Sequence, residues 1–292
     1  MTLADFLARH DRVARLVLTR VRGSSPRDAG TEMFVAPEAQ WGTLGGGQLE
    51  YLAIQRARAM FDKSEVATTL DVPLGPEIGQ CCGGRVELAL ARIGPAERRA
   101  ALTREAARQA ARPHVYVMGG GHVGRALADL LQHLPVRTIV VDPRRDELAL
   151  CTAAVETRPC AIPEIEVDRA PPGSAFVVLT HDHALDFLVT SAALARGDAA
   201  YVGMIGSASK RAKFGNWCRT QCDGLAITDL VCPIGASHSP SRDKRPAVIA
   251  ALVAAEIIAA LTATGTAAAP GDIENRPSQG RQQDDQKQRN HR

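Results

Sequence analysis

Two kinds of residue in this sequence offer chemistry: adjacent thiols and glycine-rich loops. Cys81 and Cys82 stand side by side in "GQCCGG", residues 79–84. Neighbouring cysteines rarely bridge each other, because the short ring distorts disulfide geometry. Glycines on both sides allow close backbone approach. Arg85 next door would favour a thiolate, which is a nucleophile and a soft metal ligand. The competing reading is that one or both are small buried hydrophobes, the usual fate of free cysteine. The second candidate, "MGGGHVG", sets Gly119, Gly121 and Gly124 in the G-x-G-x-x-G spacing between a strand-like run and a helical pattern. In that context the first glycine makes a tight turn, the second admits a phosphate, and the third lets helix pack on strand. Asp142, about 20 residues further on, stands where such folds carry a ribose-binding acid. The bland alternative is that the glycines serve packing alone, since fold does not establish nucleotide use.

Other loops repeat the theme. "RGSSPRDAG" offers Ser24, Ser25 and Arg27; "TLGGGQLE" opens a helix after Gly45, Gly46 and Gly47; "GMIGSASKR" offers Ser207, Ser209, Lys210 and Arg211 near a helix start. Each alone reads as a turn with solvated charge. Together they suggest a phosphorylated ligand held across two domains. "THDHALD" brings Thr180, His181, Asp182, His183 and Asp186 to the carboxyl end of a strand, where open α/β sheets bind ligands. Two histidines two residues apart lack an identifiable third metal ligand, and Asp182 is equally a helix cap. Contact of His181 with a bound ligand is the preferred reading.

The elements that must position these residues fall into two textures. Residues 1–93 read as mixed α+β: "ARLVLTRV", "TEMFVA" and "RVELALARI" are strand-like, and "QLEYLAIQRARAMF" has helical spacing with Leu49, Leu52, Ala53 and Met60 on one side. Residues 94–113 form an Ala/Arg/Glu helix with little apolar stripe, expected as a solvated connector. From 114 to 264, strands "HVYVM", "VRTIVVD", "AFVVL" and "AAYVGM" alternate with helical stretches, which predicts a Rossmann-like parallel sheet. Val123, Leu127, Leu130 and Leu131 are the expected inward face of the first of these helices. Residues 265–292 are polar and expected to be disordered.

Composition limits the function classes. The chain has 292 residues and a net charge of +3, too small to argue for nucleic-acid binding. Charges in the first dozen residues interrupt any signal-peptide core. The apolar run 246–261 carries Glu256 and falls short of the roughly 20 residues that span a bilayer, so it reads as a buried helix and the protein as soluble and cytoplasmic. Seven scattered cysteines do not make a secreted disulfide framework. "CRTQC", residues 218–222, has no partner pair at zinc-finger spacing.

The ordered blocks "GSSPRDAGTEMFV", "GTLGGGQLE", "GQCCGGRVEL", "VYVMGGGHVGRAL", "VVDPR", "THDHALDF", "YVGMIGSASKR" and "CPIG" resemble the xanthine dehydrogenase accessory protein family, the XdhC/CoxI group. They run from residue 23 to 235. The segment "KRPAVIAALVAAEI" is similar to the subgroup serving xanthine dehydrogenases, whereas "ASHSPSRDKRP" after "CPIG" departs from the L-x-I-G that many wider-family members carry. The resemblance implies a cytoplasmic, homodimeric maturation factor. It would bind the molybdenum cofactor, protect it while a cysteine desulfurase sulfurates it, and insert it into the apo-xanthine dehydrogenase molybdenum subunit. Its partners would include molybdenum cofactor biosynthesis proteins. On that reading Ser24, Arg27, Gly46, Gly119, Gly121, Gly124, Asp142, His181, Ser207, Lys210 and Arg211 contact the cofactor. Cys81 or Cys82 would lie by molybdenum. The alternatives are an NAD(P)-dependent oxidoreductase, using Asp142 and a histidine, and a sulfurtransferase carrying persulfide on a cysteine.

Overall fold

The computed structural model describes residues 1–75, 83–236 and 243–263. Cys81 and Cys82, and the tail expected to be disordered, lie outside the described residues. The chain divides into two compact units, with the boundary between Ala107 and Arg108.

The amino-terminal unit is built on an antiparallel sheet. Its strands are β1 (Ala14–Arg22), β2 (Glu32–Val35), β3 (Gln40–Gly42), β4 (Ala67–Pro73) and β5 (Arg85–Arg92), in the order β3-β2-β1-β5-β4. Alternation decides the faces, as period-2 geometry requires. Leu16 and Leu18 of β1 and Val86, Leu88 and Leu90 of β5 point inward. Helix α2 (Gly47–Asp62) covers them with Leu49, Ala53, Met60 and Phe61. Phe34, between inward-facing Met33 and Val35, turns to the opposite face and packs with Leu3 and Phe6 of α1 (Leu3–Arg9).

Helix α3 (Pro95–Ala110) corrects one expectation. The composition promised a solvated connector, yet Ala101 is buried in the Phe34 cluster. Arg98 donates to the carbonyls of Leu7 (2.6 Å), His10 (2.8 Å) and Asp11 (2.6 Å). A single alanine face needs no wide apolar stripe when a guanidinium supplies the anchoring bonds.

The second unit is a six-stranded parallel sheet. Its strands are β6 (His114–Met118), β7 (Arg137–Asp142), β8 (Glu156–Pro159), β9 (Ala175–Val178), β10 (Tyr201–Met204) and β11 (Leu230–Val231). They lie in the order β8-β7-β6-β9-β10-β11. Counted in chain order within the unit this is 3-2-1-4-5-6, the order of dinucleotide-binding folds. Central strands β6, β9 and β10 are buried almost throughout, as expected of a sheet covered on both faces. The helices are α4 (His122–Leu131), α5 (Arg145–Ala149), α6 (Glu164–Arg169), α7 (His183–Ala195), α8 (Ala208–Gln221) and α9 (Pro246–Ala263). On α4, Leu127 and Leu131 face inward as expected, but Leu130 is exposed and Ala128 and Gly124 complete the packed face.

Among the described residues, α9 is the helix long and apolar enough to cross a membrane. The run read from the sequence ends at Leu261; two further residues bring it to that length. Its inward stripe (Ala250, Val253, Ile257, Leu261) packs in the core beside α4 and the sheet. Glu256 on the same side accepts from the Tyr201 hydroxyl (2.8 Å) and the Gly235 amide (2.9 Å). Those bonds fix α9 as the core helix of this unit.

Candidate functional site

The Rossmann unit has its switch point between β6 and β9, where consecutive connections leave the sheet on opposite sides. The glycine loop leaves β6 there. Gly119 has φ +135°, and a Cβ on it would stand 2.4 Å from the Leu179 carbonyl oxygen. A Cβ on Gly124 would come within 2.0 Å of the Gly119 carbonyl oxygen. Both positions therefore require glycine so that helix, turn and neighbouring strand can meet. Gly121 differs: φ is −68° and a Cβ there meets nothing within 4 Å. Among the described residues, the second glycine of the motif faces open space.

Helices α4, α7 and α8 follow β6, β9 and β10 at this carboxyl edge, and their caps distinguish them. Asp182 caps α7 by accepting from the Ala184 amide (2.7 Å). Ser207 caps α8 by accepting from the Lys210 amide (3.3 Å). Helix α4 begins at Gly121 with no side-chain cap. Its first-turn amides, with the positive end of the helix dipole behind them, form a natural anion seat.

The other expected contacts in this unit are largely committed to the fold. Asp142 is buried, accepts from the Gly120 amide (2.8 Å), and is paired with Arg144. Burial opposes its ionisation, but the bonds from Arg144 and Gly120 outweigh that and hold its carboxyl below the usual range. Lys210, expected as ligand charge, donates to the buried carboxylate of Asp186 and to the Ile205 carbonyl (2.9 Å). Asp186 in turn accepts from the Thr180 amide (2.9 Å) and hydroxyl (2.8 Å). This buried pair ties the loops after β9 and β10 together, a role that spacing did not reveal. Arg211 donates to the carbonyls of Leu230 and Ile227. His181 is exposed at the loop after β9.

Sequence reasoning passed over Cys232 as a site residue, although "CPIG" marked its neighbourhood. Its sulfur lies 3.9 Å from the Ser207 carbonyl oxygen, after β11. Burial pushes its thiol up, against the opposing pull of Lys210 and Arg211. Cys218 of "CRTQC" is a core residue, its thiol pushed up to about 11 by burial and then by Cys222.

In the amino-terminal unit three predicted loops converge. A Cβ on Gly45 would strike the Pro26 side chain at 2.7 Å and lie 3.4 Å from Arg27. Ser24 forms a bridge with Gly83, and a Cβ on Gly84 would stand 2.1 Å from the Ser24 carbonyl oxygen. The loop carrying Ser24 and Arg27 thus touches both the triple-glycine loop and the described end of the cysteine stretch. Gly46, however, gives its amide to Glu50 (3.1 Å). The same carboxylate oxygen accepts from the Leu44 amide (2.9 Å) and the Thr43 hydroxyl (2.5 Å). This glycine loop already holds an anion of its own.

Comparison with known proteins agrees with this architecture. A family model described as the XdhC Rossmann domain matches residues 115–257, and the XdhC and CoxI family model matches residues 6–72. Together they take in well over half of the chain. The chain belongs to the XdhC and CoxI family. Membership supports an accessory role in xanthine dehydrogenase maturation. A crystal structure described as a xanthine dehydrogenase from Bacillus halodurans superposes with a TM-score of 0.75 at 16% identity. The match covers 92% of this chain and 97% of that one, and it establishes the shared fold. No curated protein matches the chain.

Proposed function

We propose that this XdhC-family chain carries the molybdenum cofactor in its molybdopterin form as cargo, shields it during sulfuration, and hands it to the apo-xanthine dehydrogenase molybdenum subunit. The observation that carries the reading is the uncapped glycine loop at the switch point, whose Gly121 faces open space while its neighbours α7 and α8 are capped by their own side chains. The cofactor's terminal phosphate is an anion suited to those amides. Asp186 and Lys210 would keep the adjoining loops in register. A thiolate from Cys81 or Cys82 would suit the soft molybdenum–sulfur end.

On this reading the protein works in the cytoplasm as a homodimer, receives cargo from cofactor-biosynthesis proteins, and works with a cysteine desulfurase. Reconstitution tests it. Apo-xanthine dehydrogenase incubated anaerobically with desulfurase, cysteine and limiting cofactor should gain activity faster with this chain present. Equal activation without it would refute the proposal. Persulfide found on a cysteine of this chain, with none on the bound cofactor, would favour the sulfurtransferase alternative.

A further inference from the structure

Asp142 ends β7 where an NAD-binding Rossmann fold holds the acid that accepts from the adenosine ribose. A carboxylate has about four lone-pair sites. Here they are filled. One oxygen accepts from the Arg144 amide (2.8 Å) and Nε (3.0 Å). The other accepts from the Gly120 amide (2.8 Å) and an Arg144 terminal nitrogen (2.9 Å). Three of the four donors belong to one residue, and the acid is only 1% exposed.

Arg144 is itself held. Its other terminal nitrogen lies 3.7 Å from Glu147, whose carboxylate pairs with Arg125 at 2.5 Å. Arg125 donates back to the Gly120 carbonyl (2.6 Å). The ring Gly120–Asp142–Arg144–Glu147–Arg125 thus closes on the glycine loop and pins both backbone groups of Gly120.

We propose that Arg144 is a specificity-determining residue: by occupying the acceptors of Asp142 it closes this Rossmann unit to adenine dinucleotides and leaves the loop to a phosphate monoester. The inference rests on the reading that the loop seats a phosphate. It also sets NADP aside, because the guanidinium that could meet a 2′-phosphate is spent on Asp142 and faces Glu147. Without the Arg144 side chain, each oxygen of Asp142 keeps one backbone donor and regains one vacancy, two acceptors in place for a ribose diol.

The test is fluorescence titration of the full chain with NADH, NADPH and 6-hydroxymethylpterin monophosphate, for wild type, Arg144→Ala and Arg144→Gln. Arg144→Gln keeps a donor for Asp142 should Arg144→Ala fail to fold, and circular dichroism checks both. Wild type should show no saturable binding of either dinucleotide up to about 1 mM, and the variants should gain NADH affinity by about tenfold or more. Saturable NADH or NADPH binding to wild type, for instance through the exposed Arg145, overturns the inference. So does a folded variant as blind to NADH as wild type. If the variants gain NADH but wild type ignores the pterin monophosphate, the role of Arg144 stands and the phosphate reading of the loop falls.

Discussion

The two triple-glycine loops of this molecule look alike in sequence and differ in what fills them. In "TLGGGQLE" the Glu50 carboxylate folds back onto the Leu44 and Gly46 amides and the Thr43 hydroxyl, so the loop is satisfied from within. In "MGGGHVG" the Gly120 amide likewise goes to a carboxylate, Asp142, but among the described residues no side chain caps α4 and a Cβ on Gly121 meets nothing within 4 Å. A glycine run therefore announces available backbone amides, but whether a ligand can claim them depends on which carboxylates lie within reach. The residue four places on from Gly46 decides the first case; no such acid follows Gly121 at that spacing, where Arg125 stands instead.

The sharpest break of this comparison lies inside the second loop. Gly124→Val should cost the Rossmann unit about 3 kcal/mol or more, because its side chain would displace backbone. Gly121→Val should change stability by about 0.5 kcal/mol or less, since nothing opposes it. Thermal denaturation of the two variants distinguishes a packing glycine from a ligand-facing one; equal losses would erase the distinction.

Asp142→Asn comes next, at about 2 kcal/mol at neutral pH, because a buried carboxylate loses its charge-assisted bonds. Its depressed pKa means that the stabilisation is present above the unfolded value near 4 and is lost as pH falls through the folded value. The gap between wild type and variant in urea denaturation should therefore begin to close as pH falls below about 4, and close fully only below the folded value. A difference that persists unchanged into acid would assign the effect to shape rather than charge.

Glu50→Ala should cost about 1–2 kcal/mol for the loop amides left without their acceptor. It should also make that loop resemble its counterpart, so that phosphate raises the melting temperature of the variant beyond its effect on wild type. Smallest are the helix caps. Asp182→Ala and Ser207→Ala should each cost about 1 kcal/mol by thermal denaturation.

Much of this was legible in the sequence. The strand–glycine–helix pattern at 114–131, the alternation in "RVELALARI" and the buried parallel strands follow from period and glycine placement. The short edge strands β8 and β11 did not announce themselves: β8 is Glu156–Pro159, with only half-buried and exposed residues, and β11 is two residues long. The polar residues of these loops were visible in the sequence, but their bonding commitments were not. Lys210 and Arg211 read as free cations because spacing cannot show that Asp186 and the Leu230 carbonyl lie within their reach. Asp142 read as an open acceptor for the same reason: a bond from Arg144 two residues away depends on a turn that only the folded chain displays.

The central claim is that the open glycine loop seats the phosphate of a molybdenum-bearing pterin. Anaerobic equilibrium binding of the molybdopterin form of the cofactor, followed by molybdenum analysis and pterin fluorescence, tests it most directly on wild type and Gly121→Val. The account predicts retention of both signals by wild type, with affinity weakened at least about tenfold in a variant that melts at the same temperature. Absence of both signals from wild type, or equal retention by the variant, would contradict it.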